Sequence, residues 1–208
     1  MSHIRRPLAA AATLNAAVFA VEAAAGLHAN SQSLVMDAVH NGSDQLGLVC
    51  LLLAYVTRAN LSRGLQRGAN LANSVGLVAV SAIVALHAAV RFHDPRPVAG
   101  WLPIVVGILA ALGNWGVARV LRDWQRYNAG IRLAYLHNLG DVYVSALPVV
   151  AGVLVSVSGH AFFDPLIALL VGTWIITTTA FELLLSTGSL IWPEDATCPH
   201  ESCGSTAG

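Results

Sequence analysis

The chain contains no lysine, and all eleven of its basic residues are arginine. That reads as a compositional habit rather than a mechanism. Charge of either sign is scarce: Asp, Glu and Arg make up 11% of 208 residues, against roughly 25% in a soluble domain. Scarcity on this scale excludes an ordinary soluble globule. The eleven acidic residues balance the eleven basic ones, and the sequence pI is about 7.1. No polyanionic partner is implied, and nucleic acid is excluded as a target. Three cysteines, Cys50, Cys198 and Cys203, are too few for a disulfide framework. No low-complexity tract, linker or organic-cofactor motif interrupts the chain.

What is present is apolar. Hydrophobic residues make up 56% and mean hydropathy is +0.65, as expected of an integral membrane protein embedded in a lipid bilayer. Runs bounded by polar, Gly or Pro punctuation predict six spans: Pro7–Leu27, Ser33–Thr57, Leu71–Phe92, Trp101–Leu121, Ile131–Val157 and Asp164–Ser186. The expected fold is an all-α bundle of six transmembrane helices over residues 1–192, with neighbours antiparallel because the loops are short. The N-terminal run imitates a signal peptide, but Asn15 and Glu22 within it, and its length, argue for a retained helix. Arg5, Arg6, Arg58, Arg63, Arg67, Arg119, Arg122, Arg126 and Arg132 fall on one side of this topology. Arg91 and Arg96 fall on the other. By the positive-inside rule both termini are cytoplasmic.

Two spans carry the same polar insertion. "HNGSD" places His40 and Asp44 four residues apart, and "HNLGD" does the same with His137 and Asp141. Residues at this spacing share a helix face. An Asp at the centre of a membrane helix costs roughly 2.5–3.5 kcal/mol on insertion scales. The cheapest joint solution is one shared site of two imidazoles and two carboxylates around a cation. Four such ligands suit tetrahedral Zn²⁺, with Cd²⁺ and Co²⁺ fitting similar sites. Two imidazoles argue against Mg²⁺ and Ca²⁺. Metal and protons compete for these ligands, so both are expected partners. A single pair would be read as a helix-packing hydrogen bond; two matching central pairs are not.

These residues resemble the zinc-type branch of the cation diffusion facilitator family. "SQSLVMDAVHNGSD" is similar to its second helix. "YNAGIRLAYLHNLGDVYVSALPVVAGVL" is similar to its fifth, "FFDPLIALLVG" to the start of its sixth and "LNAAVFAVEAAAG" to its first. The likeness covers about residues 10–193. It implies a secondary transporter rather than an enzyme, located in the cytoplasmic (inner) membrane, exporting Zn²⁺ in exchange for protons. The transport site would be His40, Asp44, His137 and Asp141. A homodimer is the protein partner it allows. Family members usually continue past "GSLIWPED" into a cytoplasmic ferredoxin-like domain. Here residues 193–208 are expected to form only a short, disordered polar tail, with no such domain. The loop "RANLSRGLQRGAN" lacks the His or acid of an accessory site.

Secondary candidates are weaker. Asp37, three residues before His40, is either a proton-relay residue or a solvated helix start. Glu22 and Asn15 share a face of the first span and either support the site or make a packing bond. Asn41 and Asn138 are expected to join helices, as are Asn73, Asn114 and Ser145. Asp164-Pro165 is read as the cap of its own helix. Cys198, His200 and Cys203 form a Cys-x-His-x-x-Cys run in the tail, a loose Zn²⁺ candidate that matches no standard motif. Two competing functions are weighed: a non-transporting membrane metal-binding regulator or subunit, and, less favoured, a membrane metalloenzyme. Four protein ligands leave no open coordination position for the latter.

Overall fold

A computed structural model describes residues 2–57, 63–126 and 129–185. Among the described residues every regular element is an α-helix. They are α1 (Ser2–Ala29), α2 (Gln32–Thr57), α3 (Arg63–His93), α4 (Trp101–Leu121), α5 (Ala129–Val144), α6 (Ala146–Ser158) and α7 (Phe163–Leu185). Five segments are long and apolar enough to cross a membrane: Arg5–Ala29, Leu71–His93, Trp101–Leu121, Ala134–Ser158 and Phe163–Phe181. The remaining expected span is α2. Its 26 residues extend about 39 Å at ~1.5 Å per residue, enough for a ~30 Å hydrocarbon core. Its apolar character is diluted by Asp37, His40, Asn41, Ser43, Asp44 and Gln45. The outside of the bundle is apolar: Leu27, Leu86, Val157, Leu170, Phe181 and Leu184 are all exposed, as a lipid-facing surface requires.

The fifth span departs from expectation. The unbroken helix read over Ile131–Val157 is interrupted at Ser145, between α5 and α6. Pro148 is the cause. It has no N–H to offer the Val144 carbonyl, and its ring crowds that turn. The chain nevertheless continues in nearly the same direction. Ser145 keeps a helical backbone, and its N–H reaches the Asp141 carbonyl at 2.9 Å. The break therefore interrupts the helical hydrogen-bond pattern just beyond Asp141 without turning the span.

Packing divides into two groups joined by α2. Helix α1 packs on α2 and α4, and α4 packs on α5 and α6. Helix α3 packs on α7, and α2 touches both. Small residues permit the closest approach: a Cβ on Gly152 would lie 2.5 Å from the Gly100 carbonyl oxygen, so α6 meets the start of α4 backbone to backbone. One apolar core joins Leu8, Leu48, Leu51, Val117, Leu121 and Ile131. Another joins Met36, Val84, Val144, Val171 and Ile175. The polar side chains of α2 lie between these cores along the helix.

The start of α2 is fixed by a residue from the far end of the chain. Asp164 is buried, and its carboxylate accepts from the Ser31 hydroxyl (2.6 Å), the Gln32 N–H (2.6 Å), the Ser33 N–H (3.3 Å) and the Ser33 hydroxyl (2.6 Å). Ser31 in turn accepts the Leu34 N–H at 3.3 Å, the usual N-cap bond. Asp164 was expected to cap its own helix. Instead it sits in the first turn of α7 and caps α2, because the unsatisfied N–H groups of α2 and two serine hydroxyls converge there. A negative charge at a helix N-terminus is favoured by the helix dipole as well.

Loss of that carboxylate orphans several buried donors at once. Asp164→Ala is expected to destabilise the protein by about 3 kcal/mol or more, since hydrogen bonds to a charged group contribute ~1.5–3 kcal/mol each. Asp164→Asn, which keeps one acceptor oxygen, is expected to lose clearly less. Thermal unfolding of both variants in the same detergent checks the order; an Ala variant as stable as the Asn variant would contradict it.

Candidate metal centre

Helices α2 and α5 run antiparallel, so the His of each sits beside the Asp of the other. His40 Nε2 lies 3.0 Å from Asp141 Oδ1, and His137 Nε2 lies 2.7 Å from Asp44 Oδ1. His40 Nε2 is 3.8 Å from Asp44 Oδ2 on its own helix. The two imidazole centroids are 5.6 Å apart. One ligand atom from each of the four residues falls within 4.8 Å of all the others. The structure thus brings together all four residues singled out by their spacing. A Zn²⁺ ion with ligand bonds of about 2.0 Å has ligand-to-ligand edges of about 3.3 Å. Closing the cage on a metal would bring ligand atoms now up to 4.8 Å apart closer by about 1.5 Å at most.

The hydrogen bonds bear on the chemistry. A ring nitrogen that donates its proton to the opposite carboxylate is the same nitrogen that would bind a metal. It must release that proton first. Metal binding therefore exchanges each crosswise His–Asp hydrogen bond for two metal–ligand bonds. The environment is uneven: the His40, Asp44 and Asp141 side chains are at most 10% exposed, whereas His137 is 48% exposed. The exposed edge of the cluster is at His137 on α5.

Beside the cage lies a polar layer that the sequence only partly indicates. Asn41 donates to Glu22 Oε2 at 2.7 Å, and Asn15 donates to the Asn41 carbonyl oxygen at 3.1 Å and to Gln45 at 3.2 Å. Asn114 on α4 donates to Asn41 Oδ1 at 3.4 Å and to the Ser145 hydroxyl at 3.1 Å. Asn73 on α3 meets the Ser43 hydroxyl at 3.0 Å. Asn41, Asn73, Asn114 and Ser145 thus join helices or segments as expected, and of the two readings of Asn15 the packing bond is the one seen. Asn138 does not: its amide donates to the Ala134 carbonyl of its own helix at 2.9 Å, because its side chain points along α5. Glu22 and Asp37 are fully buried, so Asp37 is no solvated helix start. The tail residues Cys198, His200 and Cys203, and the whole 193–208 segment, lie outside the described residues. Cys50 is a half-buried free thiol on α2. His28, His87, His93 and His160 are exposed and apart from the cage.

Sequence comparison agrees with this architecture. Residues 8–191 match the family model of the cation efflux transmembrane domain. The chain is 30% identical over 186 residues to a zinc transporter, ZitB, of Pectobacterium atrosepticum, covering 85% of this chain and 58% of that protein. It is 30% identical over 166 residues to a cadmium, cobalt and zinc/H(+)-K(+) antiporter of Bacillus subtilis, covering 75% and 53% respectively. It is 27% identical over 194 residues to the cation efflux system protein CzcD of an Alcaligenes strain, covering 89% and 61%. The chain spans little more than half the length of these curated relatives. A helical membrane bundle, a two-His, two-Asp cluster between its second and fifth spans and a match over nearly the whole chain lead to one conclusion: this protein belongs to the cation efflux family.

Proposed function

We propose that the protein is a secondary transporter that moves Zn²⁺ out of the cytoplasm in exchange for protons, with His40, Asp44, His137 and Asp141 as the transport site. The observation that carries this reading is the convergence of four metal-ligand atoms within 4.8 Å of one another inside a membrane bundle. Two nitrogens and two carboxylate oxygens favour Zn²⁺, Cd²⁺ and Co²⁺ over hard cations. The relatives named for zinc, cadmium and cobalt support the same substrate class.

Protons enter as competitors at the same atoms. Each imidazole that gives up its metal regains a proton, and each carboxylate regains a hydrogen-bonded neighbour. The arginine distribution places the N-terminal end of α5 at the cytoplasmic side. The half-exposed edge at His137 then faces the cytoplasm, which suits capture of metal from that compartment. Release requires the α2–α5 contact to reopen on the opposite side. Coupling follows from the site being too costly to leave charged: neither a bare pair of carboxylates nor a bare metal crosses alone.

The test is metal-dependent proton movement in proteoliposomes. The wild-type protein is expected to exchange Zn²⁺ for H⁺. Asp44→Ala and Asp141→Ala are expected to insert normally yet lose flux by at least about 100-fold. Wild-type flux in either variant would refute the site. A wild-type protein that binds Zn²⁺ tightly but moves none would favour a non-transporting regulator or subunit instead. At equilibrium, Zn²⁺ affinity is expected to rise with pH, about tenfold per unit for each proton displaced. Titration calorimetry from acid to neutral pH checks the slope; a flat profile would contradict proton competition. His40→Asp, which exchanges an imidazole for a third carboxylate, is expected to lower the preference for Zn²⁺ over Mn²⁺ by about tenfold or more, measured by competition binding.

A further inference from the structure

Two buried carboxyl groups take no part in the cage. Glu22 of α1 is 0% exposed and Asp37 of α2 is 1% exposed. Glu22 uses one oxygen to accept from Asn41 at 2.7 Å. Its other oxygen, and both oxygens of Asp37, have no hydrogen-bond partner. Uncompensated carboxylates in a low-dielectric interior are far too costly to persist in that form. They need a proton or a cation.

The surroundings are built for one. Asp37 sits one helical turn before Asn41, the residue that donates to Glu22 across the α1–α2 contact, so the two carboxyls are neighbours. Two carboxylates cannot hydrogen-bond to each other, but a carboxylic acid and a carboxylate can, as can two carboxylates bridged by a cation. The remaining lining is neutral and oxygen-rich. Asn114 of α4 has a buried, unpartnered Oδ1, and its amide fixes the Ser145 hydroxyl at 3.1 Å. That hydroxyl faces Asp37. The other titratable groups that act on these two carboxyls are His40 of α2 and Asp141 of α5. No hydrogen bond joins Asp37 to His40, whose Nδ1 is itself unpartnered, and α4 contributes only the neutral amide of Asn114. Among the described residues no imidazole or thiol hydrogen-bonds to Glu22, Asp37, Asn114 or Ser145, so the oxygen-rich donor set disfavours Zn²⁺ and suits a hard cation.

We propose that Glu22, Asp37, Asn114 and Ser145 form a second site, separate from the metal cage, that holds one hard monovalent cation, either a proton shared between the two carboxyls or an alkali-metal ion. This inference rests on the transport reading for its purpose: a charge held one helical turn from the cage links occupancy of the two sites through His40 and Asp141. Its existence stands on the buried carboxyls alone.

The test reads the second site directly. Infrared spectra of the purified protein in detergent at neutral pH, without metal, are compared in choline, sodium and potassium chloride. The wild type is expected to show a carboxylic-acid C=O stretch, shifted in D₂O, that is lost in both Glu22→Gln and Asp37→Asn. A band of equal size in all three salts identifies the proton as the occupant. A band that grows only in choline identifies an alkali-metal ion. Where Glu22→Gln fails to insert, Asp37→Asn alone carries the comparison. A wild-type spectrum with no band that depends on either residue in any of the three salts overturns the proposal. Zn²⁺ binding measured on the same preparations keeps the two readings apart. The second-site variants are expected to keep Zn²⁺ binding, with an affinity shifted by up to about tenfold through the linkage, whereas Asp141→Ala loses binding. A wild type that binds Zn²⁺ no better than Asp141→Ala would sink the cage and leave the infrared result standing.

Discussion

An ionisable group inside a membrane must find a partner, and the architecture of this protein is organised around that requirement. Among the described residues, Glu22, Asp37, His40, Asp44, His137 and Asp141 lie along α1, α2 and α5, and Asp164 is buried at the start of α7. Four of them pair crosswise between α2 and α5, each Asp using one oxygen and keeping the other free for a further ligand. That arrangement exists only because the two helices are antiparallel and carry the same four-residue spacing. Parallel helices would set His against His and Asp against Asp. Every bond in the cage is one that a metal ion can replace, so the arrangement that makes the polar groups tolerable also makes them a binding site.

The supporting structure holds α2 in place. At its start, Asp164 of α7 collects two backbone N–H groups and two hydroxyls. In its middle, Asn41 is bonded from α1 and α4 at once and itself holds Glu22. Ser43 is bonded from α3. On the other side of the cage, Pro148 breaks the α5–α6 span just after Asp141. One ligand helix is thus fixed along its length by neighbours, while the other changes character within a turn of its ligand. In the proposed transport cycle, relative movement of the two helices would alternate access to the site between them.

Much of this was legible in the sequence, for physical reasons that can be named. Length and hydropathy located the spans, because a lipid solvent imposes them. The paired His-x-x-x-Asp runs located the cage, because helical periodicity puts residues four apart on one face. Asn114 and Ser145 were read as helix-joining residues and proved so. What failed were readings that needed to know which helices are neighbours. Asp164 was assigned to its own helix start, although the donors it serves are more than 130 residues away. Asn138 was given an interhelical bond that its direction along α5 does not allow. The break at Ser145 carried a local signal in Pro148, but an apolar run on both sides obscured it. Glu22 and Asp37 were noted singly; that they are neighbours is a fact of packing.

The central claim is that a metal ion is held by these two imidazoles and two carboxylates together. X-ray absorption at the zinc K-edge on the metal-loaded, purified protein tests it most directly. The account predicts four light ligands at about 2.0 Å with the multiple-scattering pattern of two imidazoles. Sulfur scattering at about 2.3 Å, or a shell of oxygens without imidazole, would contradict it.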